Sequence, residues 1–251
     1  MSSEFRIASA SSDDERELRR RLVDALKNTP IPDDELLAQL GLYLNRQTLA
    51  RVLFMHELYR LVLDVPGVLF ELGVRWGQNL ALWSSFRGIY EPFNHTRRLV
   101  GFDTFAGFPR VTEEDGGAAV ADEGAYGVVE GYEHQLRELL GYHEQSSPLS
   151  HLQRFELVVG DAVETVPRYL AERPETVVAL AYFDFDLYEP TRAALEAIGP
   201  HVTRGTVLAF DQLNSRTFPG ETRAVQEVLG LRSLCLVRSR YAAQACYAVL
   251  D

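Results

Sequence analysis

The sequence predicts an α/β protein with a mostly parallel, Rossmann-like sheet that closes on an antiparallel C-terminal pair. Three observations predict it. Five short apolar runs end in glycine or a carboxylate, segments of helical periodicity separate them, and the last two apolar runs stand too close together to hold a helix between them.

Residues 13–28, 33–44 and 46–63 carry helical periodicity and form an N-terminal helical segment, 1–65, ahead of the sheet domain, 66–251. The third of these, RQTLARVLFMHELYRLVL, stops before DVPG, a turn signal. The strands are VLFELG (68–73), RLVGFD (98–103), FELVVGD (155–161), VVALAYFD (177–184) and GTVLAFD (205–211). Helical stretches 78–88, 131–141, 163–172 and 190–200 supply the crossovers. LRSLCLVRS and AAQACYAVL then finish the sheet as a hairpin. Between Asp103 and the third strand lies a long insertion, roughly 106–152, with the acidic, Gly/Ala-rich string EEDGGAAVADEGAYG. A loop of that length reads either as a mobile surface segment or as a lid over a substrate.

A chain of 251 residues that is 46% hydrophobic can bury the core of one full α/β domain. No apolar stretch follows the first charges, so no signal peptide is expected. No run reaches the roughly 18 apolar residues of a membrane span, and a cytoplasmic protein is expected. The net charge of -11 argues against nucleic acid or an anionic membrane as main partner. Lys27 is the only lysine, which leaves almost no candidate for a lysine base or Schiff base. Cys235 and Cys246 read as buried free thiols or as a pair facing across the hairpin. The six histidines show no ligand spacing.

In ELGVRWGQN, Gly73 and Gly77 sit at a strand-to-helix turn behind Glu71, where the backbone can approach a ligand and a helix N-terminus favours negative groups. Such a turn is weak evidence alone. Asp103 and Asp161 end the next two strands at the same sheet edge, where open α/β sheets bind ligands. A nicotinamide-binding fold is the rival. It wants a glycine where Arg75 stands and an acid nearer than Asp103, and the terminal hairpin suits a class I methyltransferase sheet better. Asp184 and Asp186, two apart at the end of an apolar run, would share one face of an extended strand. Like charges beside a core are costly unless something binds or uses them. Asp186 could instead cap the helix near Pro190, although Asp211 and Gln212 end the neighbouring strand as further acceptors.

The strings ELGVRWGQN, VGFDTFAGFP, VVGDAVETVP, FDFDLYEPTRAAL and GTVLAFDQ, in this order, resemble the macrocin O-methyltransferase family from about Pro66 onward. The resemblance implies methyl transfer from S-adenosylmethionine to a deoxysugar hydroxyl in natural-product biosynthesis, on a nucleotide-activated, TDP-rhamnose-like sugar or on a glycoside. It implies a magnesium ion held by Asp184, Asp211 and Gln212, with Asp186 as general base. Gln212 departs from the family's usual acid, and its amide oxygen can still ligate a hard cation. Cofactor contacts are implied for Glu71, Gly73 and Gly77 at the methionine end, Asp103 at the ribose, Asp161 near the adenine, and for Thr104 and Asp184. Asp161 could equally be a helix cap. Tyr188 and Phe105 are pocket-wall or core aromatics; Arg75 and Trp76 stand in an order swapped from the family's and receive no role. Two other readings stay open: an O-methyltransferase for a catechol-like phenol, and a non-catalytic cofactor-binding assembly partner. A homo-oligomer is expected.

Overall fold

The computed structural model describes residues 12–117 and 122–251. Its centre is a seven-stranded sheet of order β3-β2-β1-β4-β5-β7-β6. The strands are β1 (Val68–Leu72), β2 (Leu99–Asp103), β3 (Phe155–Val159), β4 (Val178–Phe183), β5 (Val202–Phe210), β6 (Val237–Arg238) and β7 (Cys246–Val249). The first five pair in parallel, and β7 runs antiparallel to both β5 and β6. Every residue of β1 and β4 is buried, as expected for strands covered on both faces.

The helices are α1 (Asp13–Lys27), α2 (Asp33–Leu36), α3 (Arg46–Leu61), α4 (Gln78–Tyr90), α5 (Tyr132–Gln145), α6 (Ala162–Glu172), α7 (Tyr188–Ile198) and α8 (Gly220–Val228). On one face Phe54 and Leu58 of α3, Trp83 of α4 and Leu136 and Leu140 of α5 pack onto the sheet. On the other, Val166 and Leu170 of α6, Leu195 and Ile198 of α7 and Val225 of α8 do so. The N-terminal segment thus divides in two: α3 is core, while α1 and α2 bury no residue.

Three expectations change. The helix expected over 33–44 is one turn of α2 followed by 3₁₀ turns over Leu37–Tyr43, none of it buried, so no packed face holds a longer helix in place. The first arm of the hairpin shrinks to two residues, Val237 and Arg238, behind a 3₁₀ turn at Leu231–Ser233. The thiols are both free, but only Cys246 is buried; Cys235 is exposed.

The insertion is more ordered than a loop reading implies. Its second half is α5, tied down by a buried ionic group in which the Glu144 carboxylate meets Arg87 of α4 and lies 3.2 Å from Arg154. Arg87 also donates to the carbonyls of Arg154 (2.9 Å) and Arg97 (3.1 Å). In the first half, the Phe108 N–H donates to the Ala125 carbonyl at 2.9 Å, and the Phe218 ring meets those of Phe108 and Tyr126 edge to face. Residues 118–121 of the expected lid lie outside the described residues. No helix among the described residues is long and apolar enough to cross a membrane.

Candidate active site

The strand order reverses between β1 and β4, which opens a crevice beyond their carboxyl ends. A cavity of ≈ 320 Å³ lies there, within the ~300–1,000 Å³ range of small-molecule sites. Gly73 is its hinge: φ is +102°, and a Cβ would fall 2.2 Å from the Asp184 carbonyl oxygen. Only glycine lets the turns after β1 and β4 touch.

Asp103 fastens the turns after β1 and β2. Its Oδ2 accepts the N–H groups of Val74 (2.7 Å) and Arg75 (2.8 Å), and Oδ1 accepts that of Phe105 (2.6 Å). A carboxylate has about four acceptor positions, so one remains open to a ligand. The Thr104 hydroxyl donates to the Gly107 carbonyl at 2.6 Å. Asp161 caps α6 by accepting the Val163 N–H at 3.0 Å, and still reaches the cavity wall. Asp161 is therefore a helix cap that also stands on the cavity wall. Arg75, given no role by the sequence, lines the cavity at φ 50°, with its guanidinium 5.1 Å from the Tyr126 ring centre.

Glu71 and Gly77 were expected at the methionine end but stand behind the wall. A Cβ on Gly77 would strike the Leu136 side chain at 2.3 Å, so this glycine serves the packing of α4 against α5. Glu71 is buried with Oε1 accepting from Asn79 at 2.8 Å and Oε2 without a partner; burial pushes its carboxyl up to about 8. Phe105 is core and Tyr188 opens α7.

β4 stops at Phe183, so Asp184 and Asp186 do not share a strand face as expected. Asp186 takes a left-handed turn (φ 63°) just ahead of α7, and both carboxylates nevertheless line the cavity. The N-cap of α7 is Leu187, and Asp186 makes no cap. Asp186 is 4% exposed, and its Oδ1 is buried without a partner. Burial, then the Asp211 charge, pushes its carboxyl up to about 7. The same two causes hold Asp184 well above the usual carboxylate range. Gln212 lines the cavity, while its backbone N–H donates to the buried Glu221 at 3.0 Å.

The residue that the sequence reading missed is Arg51 of α3. Its Nη1 lies 2.9 Å from Asp211 Oδ1 and 3.7 Å from Asp184 Oδ2, and donates to the Tyr182 hydroxyl. Tyr182 in turn donates to Asp211 Oδ1 at 2.5 Å. Burial works against the Arg51 charge, but Tyr182, Asp211 and Asp184 outweigh it and hold the guanidinium protonated. The signal was present: residues 51, 54, 55 and 58 form one helical stripe, and the other three are buried apolar side chains. A charge on that stripe needs a partner inside.

Magnesium demands near-octahedral oxygen ligands at close range. The oxygens expected to supply two of them, on Asp184 and Asp211, already face a guanidinium. Among the described residues no group of three or more His, Cys, Asp or Glu side chains is placed to hold a metal. The expected set of Asp184, Asp211 and Gln212 does not fit the ion as arranged.

An open sheet with this reversal, a glycine hinge and an acid at the end of β2, finished by an antiparallel β7, is that of a class I methyltransferase. No protein-family model and no curated protein matches the chain. Among solved structures, a crystal structure of CalS11, calicheamicin methyltransferase, is 47% identical over 99% of this chain and 97% of that one, with a TM-score of 0.94. An apo structure of CalS11, described as a TDP-rhamnose 3'-O-methyltransferase of calicheamicin biosynthesis, is 45% identical over 96% of both chains, with a TM-score of 0.85. The O-methyltransferase NovP shares the fold at 19% identity and a TM-score of 0.64. The chain belongs to the family of S-adenosylmethionine-dependent O-methyltransferases that includes CalS11.

Proposed function

We propose that this enzyme methylates a hydroxyl of a deoxysugar, with a nucleotide-activated sugar of the TDP-rhamnose type as the preferred acceptor. The unpaired, buried Oδ1 of Asp186, on the wall of a cavity hinged at Gly73, carries the reading. The identity to CalS11, a TDP-rhamnose 3'-O-methyltransferase, supports the choice of acceptor.

The Gly73–Arg75 turn and Asp103 receive the donor, and Asp186 faces the acceptor. As the sugar oxygen attacks, its proton passes to the Asp186 carboxylate and the new O–CH₃ bond forms. The S–CH₃ bond breaks with its electron pair left on sulfur, so the sulfonium becomes a neutral thioether. A base that titrates near the working pH suits this step, and in-line placement supplies most of the rest. A catechol-like phenol is the weaker acceptor, since no lysine reaches the cavity: Lys27 ends α1. The insertion would act as a cover through Phe108 and Tyr126, which line the cavity. A second copy of the chain would cover the apolar Leu18, Leu37 and Leu42, exposed on the N-terminal arm.

The test is turnover of TDP-rhamnose and a panel of glycosides with S-adenosylmethionine, read by mass. Asp186→Asn is expected to slow turnover roughly 10²–10⁴-fold while S-adenosylhomocysteine still binds. If no deoxysugar in the panel gains a methyl group, the proposal fails.

A further inference from the structure

We propose that Arg51 is the built-in cation of this site: its guanidinium stabilises the reacting oxygen, and methyl transfer proceeds without a divalent metal. The inference rests on the methyl-transfer reading above and adds to it the group that receives the developing negative charge.

Three acidic side chains, Asp184, Asp186 and Asp211, meet at the acceptor end of the cavity, and Gln212 beside them adds no charge. Something positive must balance them. Arg75 on the cavity wall adds one positive charge near Asp186, and Arg51 faces the other two acids: its Nη1 meets Asp211, Asp184 and Tyr182. Among the described residues no hydrogen bond engages Nη2 or Nε, and the side chain remains one-third exposed, at 32%, on the cavity wall. The fork therefore has one arm fixed and another available to a ligand oxygen.

A guanidinium anchored this way is a preorganised donor. It can hydrogen-bond the sugar hydroxyl oxygen in the ground state, and more strongly as that oxygen gains charge while Asp186 takes the proton. An ion seated between Asp184 and Asp211 would have to displace Nη1 from both, and would then lie beside a second cation. Arg51 is also secured from behind, because Phe54, Met55 and Leu58 of the same helical stripe are buried in the core.

Titration of the wild-type protein with Mn²⁺, followed by electron paramagnetic resonance, is expected to show no stoichiometric bound ion, and EDTA is expected to leave turnover unchanged. Arg51→Ala should slow turnover roughly 10²–10³-fold while S-adenosylhomocysteine binding persists. It should also gain one Mn²⁺ site, which a further Asp211→Asn change removes; a merely structural role for Arg51 would produce no such site. Arg51→Lys, which keeps the charge, should recover part of the rate. One tightly bound Mn²⁺ in the wild type together with loss of turnover in EDTA would overturn the proposal. So would a folded Arg51→Ala variant with wild-type turnover. Should Arg51→Ala not fold, the wild-type titration and the EDTA assay still decide. Failure to methylate any sugar sinks the proposed function instead, and the Mn²⁺ titration remains decisive for the cation.

Discussion

The Asp115 carboxylate accepts the backbone N–H of Tyr188 at 2.6 Å, so an acid from the insertion holds the first turn of the helix that follows Asp186. Its other oxygen accepts from the Thr112 N–H at 2.8 Å and hydroxyl at 3.0 Å. A Cβ on Gly220 would fall 2.2 Å from Asp115 Oδ1, so the start of α8 closes on the same point. Asp115→Ala leaves three partly buried donors unpaired and should cost about 1 kcal/mol or more in a urea titration. It should also slow methyl transfer, because the turn that carries Asp186 loses its anchor. Unchanged stability and rate would show that the contact holds nothing.

Gly73→Ala should be far worse than its size suggests. The new methyl meets the Asp184 carbonyl at 2.2 Å, on a backbone at φ +102° that side chains avoid. The turns after β1 and β4 must separate, and S-adenosylhomocysteine should no longer raise the melting temperature. Gly117→Ala, where nothing lies within 4 Å, is the matched control and should behave as wild type. Calorimetric scans of both with the ligand would decide.

Glu144→Ala strands two buried guanidiniums, those of Arg87 and Arg154. Breaking one partner of such a group costs about 3–5 kcal/mol, which for a chain of this size lowers Tm by ~2–4 °C per kcal/mol. The helix α5 should detach first, so hydrogen exchange is expected to rise there before it rises in the sheet. A Tm within ~2 °C of wild type, which corresponds to about one kcal/mol or less, would contradict the account.

Glu71 gives the protein a pH dependence with a definite sign. Its folded carboxyl titrates at about 8 because it is buried, well above an unfolded glutamate at 4.5. The native state then holds a proton that the unfolded chain gives up. This contribution is full below the unfolded value and is lost as pH rises from there through about 8. Glu71→Gln removes the titration, so its Tm should decline less than that of wild type between pH 5 and 8.5, values chosen to bracket the window. Parallel curves would mean that Glu71 is ionised in the fold.

The five parallel strands were legible because a buried strand leaves an apolar run and its ligand edge leaves a glycine or an acid, as at Gly73, Asp103 and Asp184. The short β6 was not, since Leu234 and Leu236 around it are no less apolar than true strand residues and only pairing with β7 selects Val237 and Arg238. Asp184, Asp186, Asp211 and Gln212 could be brought together from sequence because all four follow strand ends. Glu71 and Gly77 lie near the hinge in sequence but not on the cavity wall: Leu136 of the insertion helix, which no local pattern reveals, fills the space beside Gly77, and Glu71 is buried against Asn79. Arg51 escaped for a related reason, since its partners lie on strands read much later in the chain.

That separation bears on how the molecule is made. Arg51 and Tyr182 are 131 residues apart, so α3 leaves the ribosome long before the strands that its charge will face. Contacts this distant form late, after the entropy of closing the intervening chain has been met. Refolding followed by sheet signals should therefore run ahead of refolding followed by catalysis, with an interval in which the protein has its secondary structure but no working centre. Early in that interval Arg51 is an unpaired charge on an apolar helix stripe, which would slow non-specific burial of α3 until its proper partners arrive.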